Sequence, residues 1–188
     1  MNFYKEKDLA LCGSYNPYIK CPKFETEHFI LRLVKIEDAI SLLKCYSDPK
    51  AQEIFNSDRC TSDFCYHTLE EMKDCIDFWL KAYEQQAFVR FAILDKSFDQ
   101  AVGTIEMFGG SSQGILRLDI CSEYEEASFL KELFMLCAKN FFILFGVDKI
   151  LTKAVPIASD RTKILSEIGF NSYEISEFDY YWMLEKKL

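Results

Sequence analysis

A chain of 188 residues with 49% hydrophobic content can bury one substantial core, and 17 Phe, 10 Tyr and 2 Trp supply much of it, which excludes extensive disorder and gives one domain as the expectation. The formal net charge of -8 disfavours a nucleic-acid partner, because phosphate contacts draw their affinity from clustered Lys and Arg. Eight cysteines spread along the chain, behind a charge-rich start with no apolar leader, point to reduced thiols in the cytoplasm, and without any run of about 18 apolar residues no membrane span is expected.

Residues 1–24 contain Gly13, Pro17 and Pro22 among several aromatics and read as an irregular extension on a domain over 25–188. Residues 29–34 are apolar and β-branched enough for a strand. Ile36, Ile40, Leu43 and Tyr46 then recur at helical spacing until Asp48-Pro49, where proline disfavours helical geometry in the residue before it. A second helix is predicted over 68–85, with Met72, Ile76, Trp79, Leu80 and Tyr83 on one face and Thr68 with Glu71 as a capping box. Apolar runs at 88–94, 101–108 and 115–121 predict an antiparallel meander. Residues 125–145 form the most apolar helix, ended by Gly146. A buried strand over 149–155, a short helix over 160–168 closed by Gly169, and strands at 173–175 and 180–185 complete the chain. The class is α+β: a mixed, largely antiparallel central sheet of about seven strands with helices on both faces.

Several strings in this order resemble the GNAT acyltransferase superfamily, particularly its branch that acetylates protein N-termini or small amines. Glu25-Thr26-Glu27-His28-Phe29-Ile30-Leu31-Arg32-Leu33 is similar to the family's opening strand, with His28 in place of an arginine. Val102-Gly103-Thr104-Ile105-Glu106 is similar to its central strand, and Ser166-Glu167-Ile168-Gly169-Phe170 resembles the ending of its last helix. The resemblance implies a GNAT-like sheet in which two neighbouring strands splay and bind the pantetheine arm of acetyl-CoA as an added strand would, along residues 118–122. It also implies that the next helix offers its free N-terminal amides to the pyrophosphate.

The family's pyrophosphate loop carries Arg or Gln, then Gly, then Gly or Ala at fixed spacing. With Glu132 aligned to the family's helical glutamate, Glu125, Ser128 and Leu130 occupy those positions and none matches. The residues expected to meet acetyl-CoA are thus Ile120, Cys121, Ser122, Glu125, Glu126, Ala127, Ser128, Phe129, Leu130 and Lys131. Two readings stay open. Either Ser128 and neighbouring amides take the phosphates while Lys131 offsets the acids, or Glu125 and Glu126 cap a structural helix and the protein is a catalytically lapsed ligand-binding or protein-interaction module.

Amine acetylation needs a neutral amine and an acid for the leaving thiolate. Glu106 is the expected base, since the family often uses a carboxylate on this strand; the alternative is a carboxylate on a solvated face. The position of the family's acidic tyrosine is Leu165 and that of its helix-starting asparagine is Ala158, which leaves Tyr173 and Tyr181 as acids. Trp79 and Tyr83 either line an acceptor pocket or pack in the core. Cys60, Cys65, His67 and Cys75 lack paired zinc-knuckle spacing, so no metal is expected, and Cys121 reads as a buried thiol. The combined expectation is a cytoplasmic N-acetyltransferase, monomeric or homodimeric, that moves an acetyl group from acetyl-CoA to a primary amine of a small molecule or peptide N-terminus, with no nucleic-acid or membrane partner.

Overall fold

The computed structural model describes residues 15–110 and 112–187. Of the expected extension, 1–14 lie outside these. From Tyr15 onward it packs on the domain: the Tyr18 ring meets Phe145 edge-on at 5.8 Å and its hydroxyl accepts from the Gly109 amide at 3.2 Å.

Among the described residues, eight strands form one sheet in the order β1-β2-β3-β4-β5-β6-β8-β7. They are β1 (Phe24–Glu25), β2 (Phe29–Leu33), β3 (Val89–Asp95), β4 (Gln100–Gly110), β5 (Gln113–Ile120), β6 (Lys149–Lys153), β7 (Asn171–Ile175) and β8 (Phe178–Glu185). The helices are α1 (Ala39–Tyr46), α2 (Pro49–Gln52), α3 (Leu69–Glu84), α4 (Ala127–Phe145) and α5 (Ser159–Ile168). The meander over β3, β4 and β5 is antiparallel as predicted, and among the described residues only β5 and β6 run parallel.

Two local differences from the expectation have plain causes. The extra strand is β1, two residues paired to β2 and too short to show alternation. The first helix opens with a 3-10 turn at Ile36–Asp38, because the Asp38 carboxylate turns back to accept from the Lys35 amide at 2.8 Å and from Arg32 at 2.7 and 2.8 Å. Asp48-Pro49 does end α1, and it also starts α2: the Asp48 side chain accepts from the Lys50 amide, and proline's fixed φ suits the first helical position.

Strand alternation sorts the two faces of the sheet. Phe91 of β3 stacks on Phe141 of α4 at 5.6 Å, and Leu130, Leu133 and Phe134 bury the same helix against that face. Each such side chain contributes roughly 1.5–3 kcal/mol on leaving water. Gly146 ends α4 in the left-handed region at φ 64°, a conformation that glycine adopts without the Cβ clash. The opposite face, under α1 and α3, is polar: Arg90, Thr104, Glu106, Arg117 and Asp119 are all buried there.

Beyond one point the sheet opens. The parallel pairing of β5 with β6 runs from Gln113↔Lys149 to Leu116↔Thr152 and stops, while β5 continues to Ile120. After Lys153 the chain stays with β8, the Ala154 amide bonding the Tyr180 carbonyl at 3.0 Å. A cleft between the two strands starts there.

Candidate active site

A cavity of about 750 Å³ lies over the polar face, beside the point where β5 and β6 part. Ile115 and Arg117 of β5 and Leu151 of β6 line it, and its walls are aromatic: Phe64, Trp79, Phe88, Phe108, Phe178 and Tyr181. Trp79 belongs to the buried core and also lines the cavity, whereas Tyr83 is half-buried against the core outside the cavity lining.

The floor is a charge cluster. Arg90 and Arg117, from the strands on either side of β4, each bind one oxygen of Glu106, because the register sets Glu106 opposite Arg90 and opposite Arg117. Arg90 also reaches Thr104 at 3.0 Å and Asp119 at 3.3 Å, and its guanidinium lies 4.1 Å over the Trp79 ring. Tyr46 closes the network with its hydroxyl 2.8 Å from Thr104 and 3.1 Å from Asp119. Burial pushes the Glu106 carboxyl up, but the two guanidiniums outweigh it and hold the carboxyl below the usual glutamate range. For Asp119 burial prevails over the attraction of Arg90, and its carboxyl is raised. Glu106 thus lies on the cavity floor as an ionised, doubly paired carboxylate, an arrangement that lowers its affinity for a proton.

Asp58, in the loop between α2 and α3, is a carboxylate of the cavity wall that sequence reasoning missed. Arg117 holds its carbonyl at 2.9 Å, Lys153 of β6 holds Oδ1 at 2.8 Å, and Oδ2 has no hydrogen-bond partner among the described residues. Tyr181 of β8 lines the same wall, and its hydroxyl accepts from Asn56 at 3.3 Å; burial raises its pKa. Tyr173 lies beside it across the β7–β8 pair. No periodicity marks a loop aspartate, so only the fold brings it to the site.

On the other side of the parted strands lies the segment expected to meet acetyl-CoA. The Ile120 and Leu130 side chains are wholly buried in the core, so neither offers its side chain to a ligand, whereas Phe129 is half-buried and packs on Phe29 at 5.5 Å. Cys121 is buried, its amide bonded to Val102; the Ser122 amide donates to Asp48 at 3.1 Å. Glu126 is the exposed N-cap residue of α4, yet no side chain caps that helix, which leaves the first-turn amides of Ala127, Ser128 and Phe129 unpaired among the described residues. Lys131 is exposed and lies 3.3 Å from Glu167 of α5.

Glu125 turns inward. Both of its oxygens accept from Arg161 of α5 at 2.7 Å, and the third contact of that guanidinium is the carbonyl of Leu118 on β5 at 2.9 Å. Leu118 lies two residues past the last β5–β6 pair, so Arg161 occupies the cleft itself.

Cys65 Sγ and His67 Nε2 approach to 3.8 Å, while Cys60 and Cys75 line the cavity apart from them; no group of three metal-ligating side chains exists among the described residues. Among those residues no helix is long and apolar enough to cross a membrane.

No protein-family model and no curated protein matches the sequence. Solved structures do. The ribosomal-protein-S5-alanine acetyltransferase from Vibrio fischeri superposes with a TM-score of 0.69 over 87% of this chain and 96% of that one, at 17% identity. A GNAT-family acetyltransferase from Bacillus anthracis gives 0.68 over 87% and 98%, at 13% identity. The fold is that of the GNAT acetyltransferases. A third GNAT-like neighbour, RimJ from Mycobacterium smegmatis in complex with CoA-disulfide, gives 0.67 over 84% of this chain and 81% of that one, at 13% identity. The cleft between β5 and β6 is the feature that the GNAT resemblance assigns to the pantetheine arm. In the GNAT frame the aromatic cavity opens beside it, on the face under α1 and α3.

Proposed function

We propose that this protein is an N-acetyltransferase that moves an acetyl group from acetyl-CoA to a primary amine carried on an apolar or aromatic group, either a small molecule or a peptide N-terminus. The observation that carries the reading is the meeting of two spaces at one place: the aromatic cavity touches Ile115, Arg117 and Leu151 just where β5 and β6 separate. An acceptor in the cavity and a thioester in the cleft would face each other there, and holding two reactants in such proximity is a large part of catalysis.

The residues present fit the diphosphate end of the donor, since the uncapped first turn of α4 presents amides to an anion. Along the arm's track the Leu118 carbonyl is already engaged by Arg161, so the fit there requires that side chain to move. Bound acetyl-CoA supplies the activated carbonyl.

The rest is the work of this chain. The aromatic walls exclude water and take the apolar body of the acceptor. The amine enters neutral, and Asp58 Oδ2, which has no other hydrogen-bond partner among the described residues, orients it and takes the proton that the nitrogen loses as it attacks the thioester carbonyl. Tyr181, kept protonated by burial, stands ready to donate to the leaving thiolate.

A thiol-release assay over peptides, aminoglycosides and polyamines tests the reading. Peptides with an apolar N-terminal residue should react fastest, and Asp58→Asn should lower their rate about 100-fold while the melting temperature changes little. Equal rates for the variant and the parent would remove Asp58 from the site, and no thiol release with any amine would remove the enzyme reading.

A further inference from the structure

We infer that Arg161 and Glu125 form a plug that closes the donor cleft and that acetyl-CoA enters by displacing it. The inference rests on the acetyltransferase reading above and adds to it the residues that control donor entry. Arg161 is 1% exposed, although it sits at the N-terminal turn of α5 on the rim of an open strand pair. Its guanidinium spans the opening, with two charge-assisted bonds of 2.7 Å to Glu125 on one side and one bond of 2.9 Å to the Leu118 carbonyl on the other. The second contact is what a strand neighbour would make. β6 has left β5 by Leu118, and an N–H of Arg161 satisfies the carbonyl that an amide N–H of the pantetheine arm would need. The same guanidinium holds Glu125 two residues before the uncapped first turn of α4. One side chain therefore blocks the arm's track and fixes an acid beside the place for the phosphates.

Displacement exchanges like for like. A donor amide takes the Leu118 carbonyl from Arg161, and the diphosphate, a stronger anion than a carboxylate, takes the freed guanidinium from Glu125. In the closed state the cleft is inaccessible, so apparent donor affinity is reduced by the fraction of molecules in which the plug is out.

Calorimetric titration of CoA into the wild-type chain, Glu125→Gln, Glu123→Gln and Arg161→Met tests this. Glu123 is the control, an exposed acid two residues earlier that does not touch Arg161. Glu125→Gln keeps the shape of the side chain and weakens the plug, so CoA should bind about tenfold more tightly, whereas Glu123→Gln should change affinity less than about twofold because an exposed charge is screened. Arg161→Met removes the plug together with the diphosphate's guanidinium, so it should gain less than Glu125→Gln. The plug is refuted if Glu123→Gln gains as much as Glu125→Gln, which would make the effect one of net charge. Should Arg161→Met not fold, the comparison of the two glutamine variants decides. Wild-type binding with unchanged affinity in Glu125→Gln overturns the plug and leaves the acetyltransferase reading standing; no heat from any of the four proteins overturns both.

Discussion

Glu106 lies between two guanidiniums, and that position decides what it does. A carboxylate with both oxygens engaged by buried arginines is a structural counter-ion that fixes Arg90 under Trp79 and Arg117 against the Asp58 carbonyl. Removing its charge leaves two buried cations short of a partner, a change that costs about 3–5 kcal/mol when a buried pair is broken. Glu106→Gln should accordingly lower the melting temperature by roughly 6–20 °C in a chain of this size, as read by circular dichroism, and a melting point within a degree or two of the parent would show that the clamp is not what holds the floor together. The sequence placed Glu106 on the central strand and so near any active site. It could not reveal that Arg90 and Arg117 converge on it, since they come from two other strands and meet only through the register of the sheet. Asp58 was hidden for a different reason: it lies in a loop, where position is set by contacts with β5 and β6 that no local pattern records.

At the scale of elements, His28 ties the start of β2 to α4. Its ring Nδ1 lies 2.7 Å from Glu132, and its amide donates to the same carboxylate at 2.8 Å. The bond to Glu132 raises the imidazole pKa. Burial pushes the Glu132 carboxyl up, and its hydrogen bonds to Thr26 and His28 outweigh that and lower it. The pair therefore adds stability between the ordinary carboxylate pKa of about 4.3 and the ordinary imidazole pKa of about 6.5. The His28 share is lost as pH rises through its raised folded-state pKa, and the Glu132 share is lost as pH falls through its lowered one. The imidazole is half exposed, so the effect is small, under about 1 kcal/mol. Between about pH 6 and pH 8.5 the melting temperature should fall by a degree or two more in the wild type than in His28→Gln; parallel pH curves for the two would contradict it.

The elements themselves were largely legible, because helices such as α3 and α4 carry a periodic stripe and a cap, and the strands of the meander carry apolar runs. Val102-Gly103 had a physical reason as well as a resemblance: a Cβ at Gly103 would lie 2.3 Å from the Asp119 carbonyl oxygen, so β4 can approach β5 only without one. What could not be read was short or relational. β1 and α2 span two and four residues, and the parting of β5 from β6 entered only through the family resemblance.

For the molecule as a whole, the sheet gives its two faces separate duties. The face under α4 is apolar, whereas the face under α1 and α3, whose helices also add side chains to the core, carries the charge cluster and the cavity, and the cleft opens between strands that belong to both. An overall charge of -8 is no obstacle to an anionic donor when the local site supplies amides and a guanidinium. Acetyl transfer by this protein requires that cleft to take acetyl-CoA. Thermal unfolding followed across an acetyl-CoA titration into the millimolar range measures this directly. Binding to the native state should raise the melting temperature progressively, by about 2.7 kcal/mol of added stability at a hundredfold excess over Kd. A melting temperature unchanged throughout the titration would contradict the account and leave the chain as a GNAT fold used for something other than acetyl transfer.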